Sequence, residues 1–444
     1  WKEPGLLRRN VRPIGHTPPP QLGARHQRNE LGKDWSHILS PSTLYKKGAI
    51  VGAYEHPLRS MPGKTANQIQ AECVLAALED AGLTLKDVDG LAASRLPGIQ
   101  PINFAEYLGI HPTYMEATQI GGPAYVLYLF RALEAIAAAE FSVPLEAFPT
   151  RRATDEEIGL CHHPSVWAKV AELTEVGGGN IDSDTYVNPF SDTAARLAVG
   201  AGIDLCRAVL EGEFNRGFLL ARPPGHHATP ITSMGFCLYS TIAIAAKACA
   251  ALGKRVLVFD WDVHHGNGTQ DCLYDHGGSR FVSFHQSPLF PGSGYPDERG
   301  EGEGEGTIYN VPLPAGCGDA EYLLAYREIV RPLIRQYDPH ILLISAGYDA
   351  HHNDLLGGMK VTREGFAHLA ALVAEDAEAT SCEGRLVGFL EGGYHLGGLA
   401  ESVVATLDVW SGGEVPPLPD NSLPDDTVKR MIHMLCDRFE LTTA

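Results

Sequence analysis

Short apolar runs, each followed at once by polar residues or glycine, recur between about residues 150 and 412. These runs are Gly217–Leu220, Val256–Phe259, Phe281–Phe284, Ile341–Ser345 and Leu386–Leu390. Amphipathic helical patterns lie between several of them, at Thr193–Leu210, Ala320–Gln336 and Arg363–Glu378. Buried strands that alternate with helices are typical of a parallel α/β sheet, whose active site lies at the carboxyl ends of the strands. The pattern therefore predicts that the polar clusters meet at one edge of a sheet.

The chain before this region has a different pattern. Residues 1–46 contain several arginines but few apolar residues and no periodicity, which predicts a disordered basic tail. A β-type run at Ala49–Val51 follows, and helices are predicted over about Asn67–Ala81 and Val126–Ala139. At the other end, residues 413–444 are predicted to form an extension with a short helix.

Composition narrows the class of protein. The 444 residues have a net charge of -19, which argues against a direct nucleic-acid partner and favours a basic substrate. No apolar run approaches the roughly 20 residues that a membrane span needs. The 9 cysteines include no C-x-x-C pair, and the first forty residues lack the apolar stretch of a secretory signal. We therefore expect a reducing compartment, by default the cytoplasm, while the oligomeric state, including a homo-oligomer, stays open.

The run Asp260-Trp-Asp262-Val-His264 places two carboxylates and an imidazole at alternate positions. An extended backbone sends alternate side chains to the same side, and Asp349 follows another predicted strand. Asp262, His264 and Asp349 are thus candidate ligands of a zinc-like metal with an open position. Asp260 would support these ligands or hold a second, hard cation. A solvated acidic turn explains most isolated D-x-D-x-H matches, but the other strand-end clusters favour the metal site.

Candidate catalytic groups follow two other strands. His226 and His227 come after the stiff turn Arg222-Pro-Pro-Gly225, and an imidazole beside a metal can act as general base and return a proton to a leaving amine. Tyr394 lies on a glycine turn, from which its phenol could donate to a developing oxyanion. Surface histidines and a tyrosine that packs a turn are the alternatives.

Six motifs follow one another along this region, in the order RPPGHHA, GFC, DWDVHHGNGTQ, FPGSG, SAGYDA and EGGY. Their order and approximate spacing resemble those of the zinc-dependent histone deacetylase superfamily, nearest its class II and bacterial members. The chain over about 150–412 resembles that superfamily, which implies an eight-stranded parallel α/β sheet of arginase–deacetylase type, flanking helices and hydrolysis of an acylated amine.

The resemblance also implies roles for individual residues and two cofactors, Zn²⁺ and K⁺. Asp262, His264 and Asp349 would be the zinc ligands, His226 and His227 the proton-transfer pair, and Tyr394 the group that polarises the acyl carbonyl. The remaining positions would line the acyl-lysine channel (Gly235, Phe236, Phe290), belong to a monovalent-cation site (Asp260, Ser283) or orient His227 (Asn267).

The sequence leaves the substrate open between an acylated lysine or small amide and an acetylpolyamine. Polyamine-selective relatives place a glutamate after the third metal ligand, where this chain has Leu356. The missing charge favours acyl-lysine in a protein, or a small monocationic or neutral amide, over acetylpolyamine. An acetylpolyamine amidohydrolase remains an alternative, as does a catalytically impaired protein that binds acylated ligands.

Four segments characterise the stretch over about 48–140: KGAIVGAYEHP, AECVLAALEDAGLTLKDVDGL, FAEYLGIHPTYMEATQIGG and RALEAIAAA. On these segments the stretch resembles part of the thiolase family, in its lipid-transfer-like members. A thiolase nucleophile is missing, because the corresponding place reads Ile120-Gly-Gly-Pro123. The predicted organisation is therefore a tail (1–46), a partial thiolase-like segment (47–140), a deacetylase domain (141–412) and the extension. Ala49–Ala53 and the helix after it would fill the place of the deacetylase family's opening strand, or the chain is a fusion or misassembly.

Overall fold

The computed structural model describes residues 64, 66–88, 90–93, 108–109, 114–117, 132–419 and 423–441. The predicted basic tail, the run at Ala49–Val51 and residues 126–131 of the second predicted helix lie outside them. In the first part, α1 (Ala66–Ala81) confirms the first predicted helix, and β1 (Gly90–Ala93) pairs in parallel with β2 (Tyr114–Ala117). Residues 132–138 are helical.

The elements from residue 155 onward alternate between helices and strands. They are α2 (Asp155–Ile158), α3 (Pro164–Glu175), β3 (Gly179–Asn180), β4 (Tyr186–Val187), α4 (Ser191–Glu211), β5 (Arg216–Leu219), α5 (Thr241–Ala251), β6 (Val256–Asp260), α6 (Asn267–Leu273), β7 (Ser279–Gln286), β8 (Ile308–Leu313), α7 (Asp319–Ala325), α8 (Arg331–Tyr337), β9 (Ile341–Ala346), α9 (Arg363–Glu378), β10 (Leu386–Leu390), α10 (Leu396–Trp410) and α11 (Asp426–Arg438).

A parallel sheet with helices packed against it forms the centre of this region. Within the described residues the sheet has 6 strands in the order β5-β10-β9-β6-β7-β8, and every pairing is parallel. Every residue of β6, β9 and β10 is buried, as expected for strands covered on both faces. The α/β fold with a parallel sheet is confirmed, and the five predicted strands are all present.

Two hydrophobic clusters fill the space between the sheet and its helices. One includes Val199 and Ile203 of α4 with Ile242 of α5. The other includes Phe366 of α9, Val403 of α10 and side chains of α11. The predicted C-terminal extension therefore contributes to the same core as the sheet.

Two elements of the sheet region differ from those predicted from the sequence, and a proline residue explains each difference. The strand β8 was not predicted because Pro312 interrupts its apolar run, but β8 lies at the end of the strand order, where a missing N–H is tolerated. The single helix predicted over Ala320–Gln336 is divided into α7 and α8 by a π-helical turn, Tyr326–Val330. Pro332 follows that turn, and its missing N–H and ring prevent a continuous ladder of α-helical hydrogen bonds.

Candidate metal centre and active site

The carboxyl ends of β6, β9 and β10 lie side by side, and each continues into a loop that carries candidate site residues. Asp260 is the last residue of β6, and its register partners are Ser283 on β7 and Ser345 on β9. Because the three loops leave from one edge, residues far apart in sequence come together there. The expectation that the polar clusters share an edge agrees with this arrangement.

The three predicted metal ligands form one buried cluster. Their candidate ligand atoms all lie within 4.8 Å of one another. His264 Nδ1 lies 3.1 Å from Asp262 Oδ1 and 3.1 Å from Asp349 Oδ2. The other carboxylate oxygens accept backbone hydrogen bonds, from Gly392 N–H to Asp262 at 2.8 Å and from Val263 N–H to Asp349 at 2.8 Å. These bonds hold the carboxylates in place before any ion binds.

The chemistry of this cluster fits a zinc ion. Two carboxylates and one imidazole are a donor set that zinc accepts with an open position left for water or substrate. Gly347 and Gly392 pack against the same carboxylates, and a Cβ atom at either position would overlap Asp262. The backbone thus forms a tight cradle around the ligand oxygens, and no larger side chain could enter it.

Buried negative charge also favours a cation here. Burial, together with repulsion from Asp262, raises the pKa of Asp349 to about 7. Burial acts on Asp262 in the same direction, but the imidazoles of His226 and His264 outweigh it and lower the pKa of this carboxyl. A divalent cation would keep both carboxylates ionised, and its binding would release protons.

The two adjacent histidines have different hydrogen-bond partners. His226 Nδ1 lies 3.0 Å from Asp260 Oδ2, and His227 Nδ1 lies 2.8 Å from Asn267 Oδ1. The imidazole rings are 4.0 Å apart between centroids, and the ring of His227 is 5.9 Å from that of His264. The pair therefore lies beside the cluster of candidate metal ligands, and Asn267 contacts His227.

The surroundings give the two imidazoles opposite charge preferences. Burial disfavours a charged His226, but the carboxylates of Asp262, Asp260 and Glu391 outweigh it and raise the pKa of His226 to about 10. Burial and the positive charges of His226 and His264 lower the pKa of His227 well below its ordinary value. One imidazole is thus suited to hold a proton and the other to accept one.

Aromatic side chains surround the approach to these groups. The ring of Phe290 packs edge-on against His227 at 5.1 Å, and the ring of Phe236 lies 6.0 Å from that of Tyr394. Gly235 and Phe236 both have positive φ, and a Cβ at Gly235 would overlap the His227 ring. Glycine is needed at that position for the close approach. The predicted channel residues Gly235, Phe236 and Phe290 are therefore near the catalytic candidates.

Asp354 is a site residue that the sequence interpretation missed. One oxygen of this buried carboxylate accepts the backbone N–H groups of Tyr394 and His395, at 2.6 Å and 2.9 Å. Its other oxygen accepts the N–H of Leu356 at 3.0 Å. Asp354 thus connects the turn of Tyr394 to the half-buried Leu356. The available signal was the position of Asp354 in the sequence, five residues after the candidate ligand Asp349 and two before Leu356.

Glu391 is a second residue that was missed. Its side chain is 1% exposed, and one oxygen accepts the N–H groups of Gly225 and His226 at 2.7 Å and 3.1 Å. Ser345 donates to the other oxygen at 3.3 Å. Glu391 therefore fixes the loop that carries both histidines. Its position in EGGY was the available signal, but only the tyrosine of that motif was assigned a role.

Asp260 and Ser283 are neighbours across β6 and β7 and are both fully buried. The hydroxyl of Ser283 lies 3.0 Å from His285 Nδ1, and Asp260 accepts the N–H of Asp262 at 3.0 Å. The structure therefore brings together the two residues predicted to bind a monovalent cation.

A parallel α/β sheet carries a buried Asp–His–Asp cluster and a histidine pair at its carboxyl edge, an arrangement that fits a metal-assisted hydrolase. Comparisons with known proteins identify the family. The family model described as Histone deacetylase domain matches residues 126–410. The chain belongs to the histone deacetylase family. The match begins at residue 126, inside the segment 47–140 that was predicted to be thiolase-like.

The alignments with individual relatives cover different shares of those relatives. A probable deacetylase of Archaeoglobus fulgidus is 38% identical over 296 residues, which are 66% of this chain and 81% of the relative. Histone deacetylase 15 of Arabidopsis thaliana is 36% identical over 301 residues, which are 66% of this chain but 53% of the relative. The crystal structure of the HDA15 HD domain superposes with a TM-score of 0.64 at 32% identity, over 70% of this chain and 88% of that one. The chain thus spans most of the archaeal relative and about half of the plant one.

Proposed function

We propose that this protein is a zinc-dependent amidohydrolase that removes acetyl or other acyl groups from lysine side chains or related amines. The observation that carries the proposal is the buried cluster of Asp262, His264 and Asp349 beside the His226–His227 pair. Its relatives include proteins named as deacetylases. Asp262, His264 and Asp349 would hold the zinc ion, which supplies Lewis-acid polarisation of a carbonyl and a lower pKa for water.

The histidine pair moves the protons in this scheme. His227 donates its Nδ1–H to Asn267, so that Nε2 keeps the lone pair that accepts a proton from the attacking water. His226 donates its Nδ1–H to Asp260, which directs Nε2 towards Asp262, 3.8 Å away. A proton returned to the leaving amine completes hydrolysis of the amide to a carboxylate and an amine.

Tyr394 and the aromatic channel orient the acyl group. The phenol of Tyr394 donates to the oxygen on which negative charge develops, and the backbone contacts of Asp354 hold the turn that carries it. Phe236 and Phe290 line the path of an aliphatic side chain and keep water from the reacting atoms.

Asp262→Ala tests the proposal most directly. Loss of one of three protein ligands should abolish both stoichiometric zinc, measured by elemental analysis, and hydrolysis of a fluorogenic acetyl-lysine peptide. Asp275→Ala is the matched control, since Asp275 is an exposed carboxylate after α6. Hydrolysis retained by Asp262→Ala would refute the proposal. Zinc and ligand binding without turnover in the unmodified protein would instead support the catalytically impaired alternative.

Leu356 is the residue by which we distinguish lysine from polyamine substrates. A carboxylate at this place would attract the second ammonium group of an acetylpolyamine, so Leu356→Glu should raise kcat/KM for acetylpolyamine relative to acetyl-lysine peptide. Leu355→Glu is the control, because Leu355 is the preceding residue but is 71% exposed. An unmodified protein that already prefers acetylpolyamine would contradict the lysine assignment.

The remaining assignments are predictions. They comprise K⁺ at Asp260 and Ser283, the domain boundaries, a cytoplasmic location, the absence of a nucleic-acid partner, the oligomeric state and the partial thiolase resemblance over 48–140. Among the helices of the described residues, none is both long and apolar enough to cross a membrane.

A further inference from the structure

A cavity of about 410 Å³ lies at the edge of the sheet opposite the metal centre. Arg280 and Tyr309, which line it, are each the second residue of their strands, β7 and β8. The cavity therefore lies at the amino ends of these strands, whereas the metal ligands follow the carboxyl ends. Its other walls come from α8 and from Phe439 and Glu440, after α11.

Two arginines line this cavity, and aromatic rings hold both of them. The guanidinium carbon of Arg299 lies 4.6 Å from the ring centroid of Tyr309 and 4.7 Å from that of Phe439. The guanidinium carbon of Arg280 lies 4.6 Å from the ring of Tyr337. Stacking fixes the planes of the guanidinium groups and leaves their N–H edges as the parts that can bind a ligand.

The positive charge at the cavity is incompletely compensated. Arg299 Nη1 is buried without a hydrogen-bond partner among the described residues, whereas Arg280 Nη1 donates to Ser279 O at 3.2 Å. Burial and the nearby Arg438 lower the pKa of Arg299. Glu440 is the acidic residue among those that line the cavity. Such a site is unusual in a chain whose net charge is -19.

We propose that this cavity binds a small oxyanion, the phosphate or carboxylate group of a metabolite-sized ligand, through Arg280 and Arg299. Planar guanidinium groups pair with oxyanions through two parallel hydrogen bonds, and the cavity volume is within the range of small-molecule sites. The rings of Tyr309, Tyr337 and Phe439 form an apolar wall against which the body of such a ligand packs. This site is separate from the metal centre and does not depend on the deacetylase assignment.

Calorimetric titration of the zinc-loaded full chain tests the proposal, with inorganic phosphate and succinate as probes and sodium chloride to hold the ionic strength constant. We expect one site that binds at least one of the two anions, and the preferred anion identifies the class of oxyanion. Arg280→Gln and Arg299→Gln should each weaken binding by about tenfold, the effect of losing a charge-assisted hydrogen bond. Glu440→Gln should strengthen it, because it removes the opposing charge.

Arg207→Gln is the matched control, because Arg207 is a half-exposed arginine on α4 away from the cavity. Melting temperatures identify any variant that fails to fold. If Arg299→Gln does not fold, the affinities of Arg280→Gln and Glu440→Gln still test the proposal. Absence of binding for both anions would overturn the proposal. Equal affinity in the arginine variants and the unmodified chain would also overturn it, since the anion would then bind elsewhere, including at the metal centre.

Discussion

At the scale of single residues, the candidate site consists of buried polar side chains that satisfy one another. His226 and His227 are adjacent in sequence and have similar burial, yet one faces a carboxylate and the other an amide oxygen. Carboxylates around His226 raise its pKa, whereas burial and the positive charges of His226 and His264 lower the pKa of His227. The residue types could be predicted from the RPPGHH motif, but the opposite pKa shifts depend on the charges that the fold places around each ring.

Asn267 should act by orienting the general base. Asn267→Leu removes the acceptor of the His227 Nδ1–H and should lower kcat by about a hundredfold, with a small change in KM. Asn267→Asp keeps an acceptor oxygen and should retain most of the activity. Steady-state kinetics on an acetyl-lysine peptide measure the difference. Equal activity of Asn267→Leu and the unmodified protein would show that His227 needs no such orientation.

His162 should make stability depend on pH. Its Nδ1–H donates to Thr229 O and its Nε2 accepts from Ser240 N–H, both at 2.8 Å, and burial lowers the pKa of His162 to about 4. The unfolded chain binds a proton at higher pH than the folded one. The free energy of unfolding should therefore decrease as pH falls from about 6.5 to 4, by up to about 3 kcal/mol.

Urea unfolding at pH 7.0 and 5.0 measures this effect. His162→Gln can form both hydrogen bonds but does not titrate, so its stability should change less between the two pH values. His433→Gln, at an exposed position on α11, is the control and should keep the full pH dependence. An unchanged pH dependence in His162→Gln would contradict the assignment to His162.

At the scale of elements, the loops after β6, β9 and β10 decide the geometry of the site. Asp349 follows β9 and lies next to Asp262 because the strand order places β9 between β6 and β10. The loop after β10 donates the Gly392 N–H to Asp262 and presents Tyr394. Backbone groups on one of these loops therefore constrain the candidate ligands on another.

Gly392→Ala should disrupt the metal centre through this constraint. Its Cβ would overlap the carboxylates of Asp349 and Asp262, so zinc affinity and hydrolysis should both decrease strongly. Gly397→Ala, in α10, is the control, because its Cβ would make only an ordinary contact of 3.4 Å with the His395 ring. Zinc content and turnover should be measured together for both variants. A Gly392→Ala protein with full zinc content would show that the close approach of Gly392 to the carboxylates is not needed for zinc binding.

At the scale of the whole molecule, the hydrophobic core extends beyond the region covered by the six sequence motifs. Val428, Ile432 and Leu435 of α11 are buried in the cluster that also contains Phe259 and Ile344 of the central strands. Their burial indicates that the last helix stabilises the sheet although it lies far from the metal ligands. We therefore expect substitutions in α11 to change stability without changing the candidate site.

Ile432→Ala should destabilise the fold by about 2–5 kcal/mol, the usual effect of a cavity left by a fully buried aliphatic side chain. The activity of the folded protein should be retained, because α11 does not contact the site. Met434→Ala is the control, since Met434 is two residues away on the same helix but 64% exposed. Urea unfolding compares the two. Similar unfolding midpoints for both variants would mean that α11 is not part of the cooperative core.

The sequence by itself determined the α/β class, the five strands that precede motifs and the identity of the candidate ligands. These features depend on short-range periodicity and on residues a few positions apart, as in Asp260, Asp262 and His264. Only the tertiary structure decided that β8 lies at the end of the described sheet, that Asp354 and Glu391 hold the loops of the candidate site, and that Asp260 is the partner of His226. The physical reason is that these contacts join residues 34 to 166 positions apart, and only the order of strands in the sheet brings such residues within hydrogen-bond distance.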